Sequence, residues 1–412
     1  MYLQTLLPQP ARQTLLQNVQ QHLLHDVLGF WAPRACDTEH GGYYTHFDRQ
    51  GQLLSSEKNT WLHARQAWMF ARVYQDLAPD PAYLALARQG RDWLVEHTYA
   101  GGGRWNYLLS ADGQVVQGTV ALYTDLFVLM GLCAYLQASG QRRDLPLIEA
   151  TFQAAAQNLT DDQFPDLFPQ QYQPGSVIHG KYMIALNALS CAAPVLGWAR
   201  CEPLITYCLD RIFGVLADPA RPTVYELRTL WGSGVDTEEG HRLNPGHIFE
   251  SMWFVLALPE RLVSPGRRAL ALRIVRATAD QSLDKQYGGM VHMLDDRGYE
   301  GRYVDWDPYR ALKWDEKVWW THAEALFALL LHADQAGSAA SLRDFEALYA
   351  WCRRWFWDQE YGEWYAVLHR NGTPRIPDKG GLQKSAFHVP RALYNCCLLL
   401  QGRPLFSEGG AV

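Results

Sequence analysis

The stretch GGYYTHFDRQG at residues 41–51 decides the fold, because its pattern returns three more times along the chain. Each copy combines glycine with aromatic residues, continues as a short β-like alternation and ends in a turn that contains glycine. The copies start about 60, three times 62 and 73 residues apart, which indicates about six units of one supersecondary type. The other copies are GGGRWNYLLSADG (101–113), GGMVHMLDDRG (288–298) and YGEWYAVLHRNG (361–372).

Helices are predicted between these copies. Near the start of the chain, Leu16, Val19, Leu23, Val27 and Phe30 recur three and four positions apart, which is typical of a helix with one buried face. The same periodicity predicts helices at 60–76, 81–97, 119–138, 145–158, 180–197, 201–215, 246–257, 266–282, 315–334, 341–356 and 389–400.

A helical pair with a short hairpin between its helices is therefore the predicted unit. Six such pairs bury their apolar faces best by closing into a ring, with inner helices lined by outer ones. We predict an all-α protein with one (α/α)6 toroid barrel, short β-hairpins in its connecting loops and a single domain over residues 1–412. An open helical solenoid is the alternative.

Composition excludes several classes of protein. Hydrophobic residues at 48% and charged residues at 19% exclude disorder. A net charge of −6 with scattered basic residues predicts no nucleic-acid and no membrane partner. The first residues lack a secretion signal, so we expect a cytoplasmic protein. The eight cysteines lie mostly in apolar helical runs without CxxC spacing, as expected of reduced core thiols.

Aromatic residues and two long loops point to a sugar. Sixteen Trp and 21 Tyr suit the stacking of pyranose faces, although core packing explains them equally well. Loops 161–176 and 296–314 are irregular, and the second contains YVDWDPYR (303–310). We expect both loops to lie over one mouth of the ring as binding loops.

One candidate catalytic histidine lies in LNPGHIFESMWF (243–254). Asn244 is a natural N-cap and Pro245 suits the first helical position, so His247 falls in the first turn of a helix. Glu250 lies three residues further on the same face and is expected to orient the imidazole. The positive end of the helix favours a neutral ring, which is the form that a base needs.

The second candidate lies in KGGLQKSAFHVPRALYNC (379–396). Pro390 is expected at the first position of the last inner helix, because a proline keeps the residue before it out of helical conformation. His388 is then predicted just outside that helix. If the inner helices run in the same direction, both histidines emerge at one mouth.

Further polar and aromatic residues share the predicted inner faces. Arg65 lies on a face with Trp61, Trp68 and Arg72, where a guanidinium needs a carboxylate or a substrate oxygen. Trp320 and Glu324 share a face of another helix, and either Trp319 or Trp320 is expected to be a stacking platform. Dinucleotide, phosphate-loop and HExxH motifs are absent from the sequence, so we expect no metal and no cofactor.

Five ordered blocks together resemble the N-acylglucosamine 2-epimerase family over nearly the full chain. The blocks are GGYYTHFDRQG with Lys58, Trp61, Leu62, Arg65, Gln66 and Trp68, then NPGHIFESMWF, KVWWTHAEAL, YGEWYAVLHRNG, and KGG with FHVPRA. The resemblance implies an (α/α)6 barrel that interconverts aldoses at carbon 2, with relatives that epimerise cellobiose or convert mannose to fructose. It implies His247 and His388 as acid and base, Glu250 as the orienting carboxylate and Arg65 near the carbonyl oxygen.

Two histidines suit this chemistry, because a proton leaves one face of carbon 2 and another returns to the opposite face of an enediolate. Substrate contacts are predicted from Trp320, Lys384, His179, Tyr123 and Trp61. His322 and Ile184 favour the N-acylglucosamine branch, whereas His63, Gln383 and His179 depart from its usual residues. A free hexose is therefore the alternative substrate, and a homodimer is the family expectation.

Two other functions compete with this one. A glycoside hydrolase on the same toroid needs two carboxylates, for which Asp305, Asp307 and Glu316 are candidates. A sugar-binding or protein-binding module without catalysis is the second.

Overall fold

Twelve long helices alternate between an inner and an outer ring in the part of the chain that the structure describes. The structure is a computed structural model, and the residues that it describes are 2–162, 164, 175–298 and 312–406. The even-numbered helices form the inner ring and the odd-numbered ones the outer ring. They are α1 (Gln9–Gln21), α2 (Thr60–Asp76), α3 (Pro81–Trp93), α4 (Leu122–Ser139), α5 (Leu145–Thr160), α6 (His179–Leu196), α7 (Trp198–Arg211), α8 (Pro245–Ala257), α9 (Pro265–Ser282), α10 (Trp319–Ala336), α11 (Ala339–Trp355) and α12 (His388–Leu400).

Helix packing closes the ring. Each inner helix packs against the next inner helix and against the outer helix that follows it in the chain. The last inner helix, α12, packs against α1 and also contacts α2, so the N-terminal helix completes the sixth pair. The predicted (α/α)6 toroid is thereby confirmed, and the open solenoid is excluded.

Inner helices are buried on nearly all sides, as their composition requires. The helix Leu122–Ser139 is long and apolar enough to cross a membrane by composition alone, but 83% of it is buried inside the ring. The shorter helical segments are Leu3–Leu6, Leu28–Trp31 and Glu238–His241, the π-helical turns His22–Val27, Leu94–Thr98 and Ile212–Leu216, and the 3-10 turns Arg142–Asp144 and Glu260–Leu262.

Short antiparallel strands connect each outer helix to the next inner helix. Connections in the other direction are tight turns, so the hairpins lie at the end of the ring where the inner helices begin, here called the N-terminal mouth. The sheets are β1–β2, β3–β6–β7, β4–β5, β8–β11, β9–β10, β12–β13 and β14–β15–β16. The strands are β1 (His46–Phe47), β2 (Leu53–Ser55), β3 (Lys58–Asn59), β4 (Tyr99–Gly101), β5 (Arg104–Trp105), β6 (Leu108–Leu109), β7 (Val115–Gln117), β8 (Ser176–Ile178), β9 (Ala217–Asp218), β10 (Thr223–Val224), β11 (Leu227–Thr229), β12 (Arg242–Leu243), β13 (Leu294–Asp295), β14 (Lys317–Val318), β15 (Val367–Leu368) and β16 (Pro374–Ile376).

Buried ion pairs fasten three of these hairpins to the ring. In each of the three, an aspartate lies four residues before a glycine and accepts hydrogen bonds from the backbone N–H groups of its own turn. The same aspartate forms an ion pair with a lysine that precedes the next inner helix. The pairs are Asp37 with Lys58 at 2.7 Å, Asp284 with Lys317 at 2.9 Å, and Asp358 with Lys379 at 3.1 Å. Breaking a buried pair from one side costs about 3–5 kcal/mol, so these contacts fix the bases of the hairpins.

Several predicted helix starts differ from the structure by up to four residues, and two of the differences have a clear physical cause. The helix expected from residue 315 begins at Trp319, because Lys317 and Val318 pair with the strand Val367–Leu368 instead. The last inner helix begins at His388 rather than at Pro390. A proline at the third position is tolerated, because the first-turn N–H groups of a helix have no partner within it.

Candidate active site

The beginnings of the inner helices bring most of the predicted site residues to the N-terminal mouth. His179 begins α6, His247 lies in the first turn of α8, and His388 begins α12. Trp61 and Trp320 are each the second residue of their helices. Residues from distant parts of the sequence therefore converge because the inner helices start at the same end of the ring.

His247 is held by its helix and by a carboxylate outside it. Asn244 caps the helix by accepting a hydrogen bond from the His247 N–H at 3.3 Å, as the sequence predicts. The ring Nδ1 donates to Oε2 of Glu226 at 2.8 Å, and Nδ1 of His179 lies 3.4 Å from the other oxygen. The orienting carboxylate is therefore Glu226, and the prediction of Glu250 for this role is wrong.

Glu250 instead belongs to a buried cluster around His388. Nδ1 of His388 donates to Oε1 of Glu324 at 2.7 Å. Nη2 of Arg391 donates to the same oxygen at 2.7 Å and also to Oε1 of Glu250. Trp253 Nε1 donates to the second oxygen of Glu324 at 2.8 Å. The predicted contact between Glu250 and His247 does not form, because the guanidinium of Arg391 is a stronger partner for a buried carboxylate.

The two catalytic candidates have opposite protonation preferences. Burial lowers the pKa of His388 well below its usual value; the charge of Glu250 opposes this shift, and the charges of Arg391 and Arg65 add to it. Burial also acts to lower the pKa of His247, but Glu226 raises it above its usual value. Two titratable groups whose pKa values are pushed apart suit one base and one acid. The sequence-based expectation that the helix end keeps His247 neutral is wrong, because the charge of the adjacent Glu226 raises the pKa of His247.

Trp320 lies between the two imidazoles. The centroid of its ring is 5.2 Å from that of His247 and 5.8 Å from that of His388. A Cβ on Gly246 would lie 2.2 Å from the indole, so the start of α8 can approach this ring only with glycine at that position. The indole therefore lies close to both candidate imidazoles, a position that suits the predicted stacking platform.

The buried guanidinium of Arg65 packs against the faces of aromatic rings. The centre of its guanidinium lies 4.0 Å from the ring of Phe127, 4.8 Å from Phe387 and 5.4 Å from Trp61. It forms no salt bridge with any described residue, and its Nε is buried without a hydrogen-bond partner. Burial lowers the pKa of Arg65 to about 9. Of the two partners predicted for this guanidinium, a carboxylate is thus excluded among the described residues, and a substrate oxygen stays the prediction.

Trp61 and Tyr123 form one wall beside this guanidinium. Their rings stack with centroids 6.3 Å apart and an angle of 28°. Nε1 of Trp61 is buried and has no hydrogen-bond partner, which leaves one donor for a ligand. The hydroxyl of Tyr123 lies against Gly180, where a Cβ would approach it to 2.1 Å.

Lys384 does not fit its predicted role in substrate binding. Its Nζ donates to Oε1 of Glu363 at 3.0 Å and to the carbonyl of Lys379 at 2.7 Å, and only 1% of its side chain is exposed. Glu363 takes the place of the second glycine of a hairpin with a φ of 54°. This prediction is corrected, because the ammonium is used to hold a strained hairpin and a ligand cannot reach it.

His63 and His322 are equally structural. Nε2 of His63 accepts from the N–H of Tyr43 at 2.8 Å, and Nε2 of His322 accepts from Met290 at 2.8 Å. Both rings are fully buried. His63 is therefore a structural residue, and its departure from the usual residue of the family does not change a side chain that a ligand can reach.

A metal ion would compete with Arg391. Ligand atoms of Glu250, Glu324 and His388 lie within 4.8 Å of one another, a geometry that could hold a cation. Arg391 already places its guanidinium on both carboxylates. The positive charge that this cluster needs is thus supplied by the protein.

Glu226 and Arg391 are the residues that the sequence analysis missed. Glu226 lies in a hairpin without the Gly-Gly signature, although the repeat of about 62 residues places a hairpin near position 225. Arg391 follows Pro390 and lies three residues after His388, on the same helical face. The repeat period therefore indicates the hairpin of Glu226, and the helical spacing indicates that Arg391 lies beside His388.

Part of the predicted mouth lies outside the described residues. This applies to most of both binding loops, and to Asp305 and Asp307, the carboxylates of the hydrolase alternative. The third candidate, Glu316, is 2% exposed and accepts a hydrogen bond from Arg375 at 2.6 Å. It is therefore a structural residue.

Comparison with known proteins points to one family and one fold. A family model described as N-acylglucosamine 2-epimerase matches residues 42–392. The human protein named N-acylglucosamine 2-epimerase is 28% identical over 90% of this chain and 87% of its own. The solved cellobiose 2-epimerase from Spirochaeta thermophila DSM 6192 is 19% identical with a TM-score of 0.81, covering 96% of this chain and 98% of that one. A D-mannose isomerase structure has a TM-score of 0.77 at 17% identity, covering 92% and 97%.

Proposed function

Because this chain belongs to the N-acylglucosamine 2-epimerase family, we propose that it interconverts N-acyl-D-glucosamine and N-acyl-D-mannosamine at carbon 2. The family and its named relatives make the protein an isomerase that acts on a carbohydrate. One observation carries the proposal, namely two imidazoles of opposite protonation preference on either side of Trp320.

The reaction begins with the open-chain aldehyde of the sugar. In one direction, Nε2 of neutral His388 removes the proton from carbon 2. The electron pair of that C–H bond forms a double bond between carbons 1 and 2, and the π pair of the carbonyl moves onto its oxygen, where Arg65 stabilises the developing negative charge. Protonated His247 then donates its Nε2 proton to the opposite face of carbon 2, and the carbonyl at carbon 1 re-forms. The reverse reaction exchanges the two roles.

The neighbouring carboxylates determine which ring nitrogen of His247 and of His388 faces the substrate. Burial acts to raise the pKa of Glu226, but His247 and His179 lower it well below its usual value. Glu226 therefore remains an acceptor, Nδ1 of His247 carries the hydrogen, and Nε2 is left for the substrate. Glu324 does the same for His388.

We also propose that the reaction needs no cofactor, because acid, base and oxyanion stabiliser are all side chains. A single catalytic domain over residues 1–412, a cytoplasmic location and a homodimer are further proposals. The net charge of −6 with scattered basic residues supports a small sugar rather than a nucleic acid or a membrane as the partner.

The substrate is tested by NMR in heavy water with N-acetylmannosamine, N-acetylglucosamine, mannose and cellobiose. We expect the N-acetylated sugars to epimerise and to gain deuterium at carbon 2. Deuterium at carbon 1 with a ketose formed from mannose would instead establish an aldose–ketose isomerase. No turnover of any of the four sugars by folded protein would contradict both assignments.

Replacing Glu226 should shift the pH dependence of the reaction. Glu226→Gln keeps the shape of the side chain but removes the charge that raises the pKa of His247. The pKa of His247 should then fall, so the protonated acid is lost at a lower pH. We expect the alkaline limb of kcat to move to lower pH while the acid limb stays in place. Glu239→Gln, an exposed substitution, is the control, and an unmoved alkaline limb in Glu226→Gln would rule out His247 as the acid.

A further inference from the structure

Buried donors bind both oxygens of Glu324, the carboxylate beside His388. Oε1 accepts hydrogen bonds from Nδ1 of His388 and from Nη2 of Arg391, each at 2.7 Å. Oε2 accepts a hydrogen bond from Nε1 of Trp253 at 2.8 Å. Glu324 is 1% exposed and Trp253 is 2% exposed, so bulk water does not reach this oxygen in place of the indole. The orientation of the carboxylate therefore depends on a tryptophan as well as on the two partners of Oε1.

The indole of Trp253 is held from several sides. Its ring makes edge contacts with Phe254 and Phe327, with centroid distances of 4.2 Å and 5.1 Å. The guanidinium carbon of Arg391 lies 5.1 Å from the centroid of the indole. Phe327 follows Glu324 by three residues on α10, so the ring that packs against the indole and the carboxylate that accepts from it share one helical face. The N–H group of Trp253 is thereby fixed in direction.

A fixed donor on Oε2 determines how the carboxylate of Glu324 is turned. The last torsion of a glutamate side chain has a broad energy minimum, so its partners decide the plane of the carboxylate. Arg391 offers a competing arrangement, because its Nη1 is buried without a hydrogen-bond partner. A guanidinium that binds both oxygens of one carboxylate forms a stronger pair than one that binds a single oxygen. The hydrogen bond from Trp253 to Oε2 opposes such a pair and leaves Oε1 in place for His388.

We propose that Trp253 is a positioning residue for the reaction and holds Glu324 so that Oε1 faces Nδ1 of His388. The hydrogen is then kept on Nδ1, and Nε2 of His388 keeps the lone pair that removes the proton from carbon 2. Tryptophan suits this role because its N–H group only donates and does not titrate. The inference rests on the proposed function, in which neutral His388 is the base.

Trp253→Phe removes the donor and keeps an aromatic ring at this position. We expect kcat for N-acetylmannosamine to fall by about 10-fold with KM unchanged, because a misdirected base slows proton transfer and not sugar binding. Nitrogen NMR of protein labelled at its histidines should show one neutral tautomer of His388, with hydrogen on Nδ1, in the unaltered protein and a mixture of both in the variant. The signals of His388 are assigned by their absence from His388→Asn.

Trp31→Phe is the matched control. Nε1 of Trp31 donates to Oε2 of Glu363 at 2.6 Å, while Nζ of Lys384 binds Oε1 of the same carboxylate. Both tryptophans are buried, and each substitution leaves one buried carboxylate oxygen without its indole donor. Both variants should therefore have a lower Tm, but Trp31→Phe should keep the kcat and the His388 tautomer of the unaltered protein. An unchanged kcat or a single Nδ1–H tautomer of His388 in Trp253→Phe would make Trp253 a structural residue and overturn the inference.

The two measurements separate this inference from the proposed function. The tautomer of His388 is measured without a sugar, so it tests the role of Trp253 even if the unaltered protein turns over none of the sugars and the proposed function fails. If Trp253→Phe does not fold, benzothienylalanine at position 253 tests the same point, because a sulfur replaces the N–H group in a ring of nearly the same shape. A single Nδ1–H tautomer of His388 in that variant would also overturn the inference.

Discussion

His388→Asn should fold normally and lose turnover by about 10³-fold, because it removes the base from an otherwise intact site. An asparagine can still donate to Glu324, so the buried cluster with Arg391 keeps its hydrogen bonds. The loss then reports on proton transfer rather than on a disturbed core. Circular dichroism and Tm establish folding, and epimerisation of N-acetylmannosamine is followed by NMR.

The paired variant His247→Asn makes this prediction sharper. If each imidazole serves one face of carbon 2, each variant retains one of the two bases. Each should exchange deuterium into the one epimer whose proton faces the remaining histidine, without forming the other epimer. Loss of exchange from both epimers in both variants would contradict a mechanism with two independent bases, and full epimerisation by either variant would reject that histidine.

Arg65→Met should lower kcat by about 10²–10³-fold, the usual loss when an oxyanion donor is removed. The same substitution should not lower the stability of the protein. Arg65 is a buried cation without a salt bridge to any described residue, and burial lowers its pKa to about 9. Such a charge costs stability in the empty site. We therefore expect the Tm of Arg65→Met to be unchanged or higher.

Arg91→Met is the matched control, because Arg91 is also buried but forms an ion pair with Asp144. Its loss should lower the Tm by leaving Asp144 without a partner, while kcat changes little. A fall in Tm for Arg65→Met with kcat unchanged would make Arg65 a structural residue. Steady-state kinetics and thermal unfolding distinguish the two outcomes.

The ring of helices could be predicted from the sequence because its signals are local. Glycine-rich hairpins recur at a nearly constant period, and the helices between them show a clear apolar face. Helix starts were less predictable where two preferences compete. Lys317 and Val318 fit a helix by composition, but pairing with a distant strand decides their conformation.

The sequence analysis identified most residues of the candidate site but not the contacts between them. His247 and Asn244 follow from local capping chemistry, and the structure has that cap. The partner of His247 depends on a hairpin 21 residues away, and that of Glu250 on a helix 141 residues away. The sequence analysis paired His247 with Glu250 because it used helical spacing alone. That spacing carries no information about partners from other parts of the chain.

The aspartate–lysine pairs under the hairpins also join neighbouring hairpins to one another. The lysine of each pair is completely enclosed. Two of the aspartates bind a second cation from the outer end of another hairpin, since Arg49 pairs with Asp358 and Arg370 pairs with Asp284. A substitution of either arginine therefore also changes the base of a neighbouring hairpin, whereas hairpin ends without such a cation can vary independently.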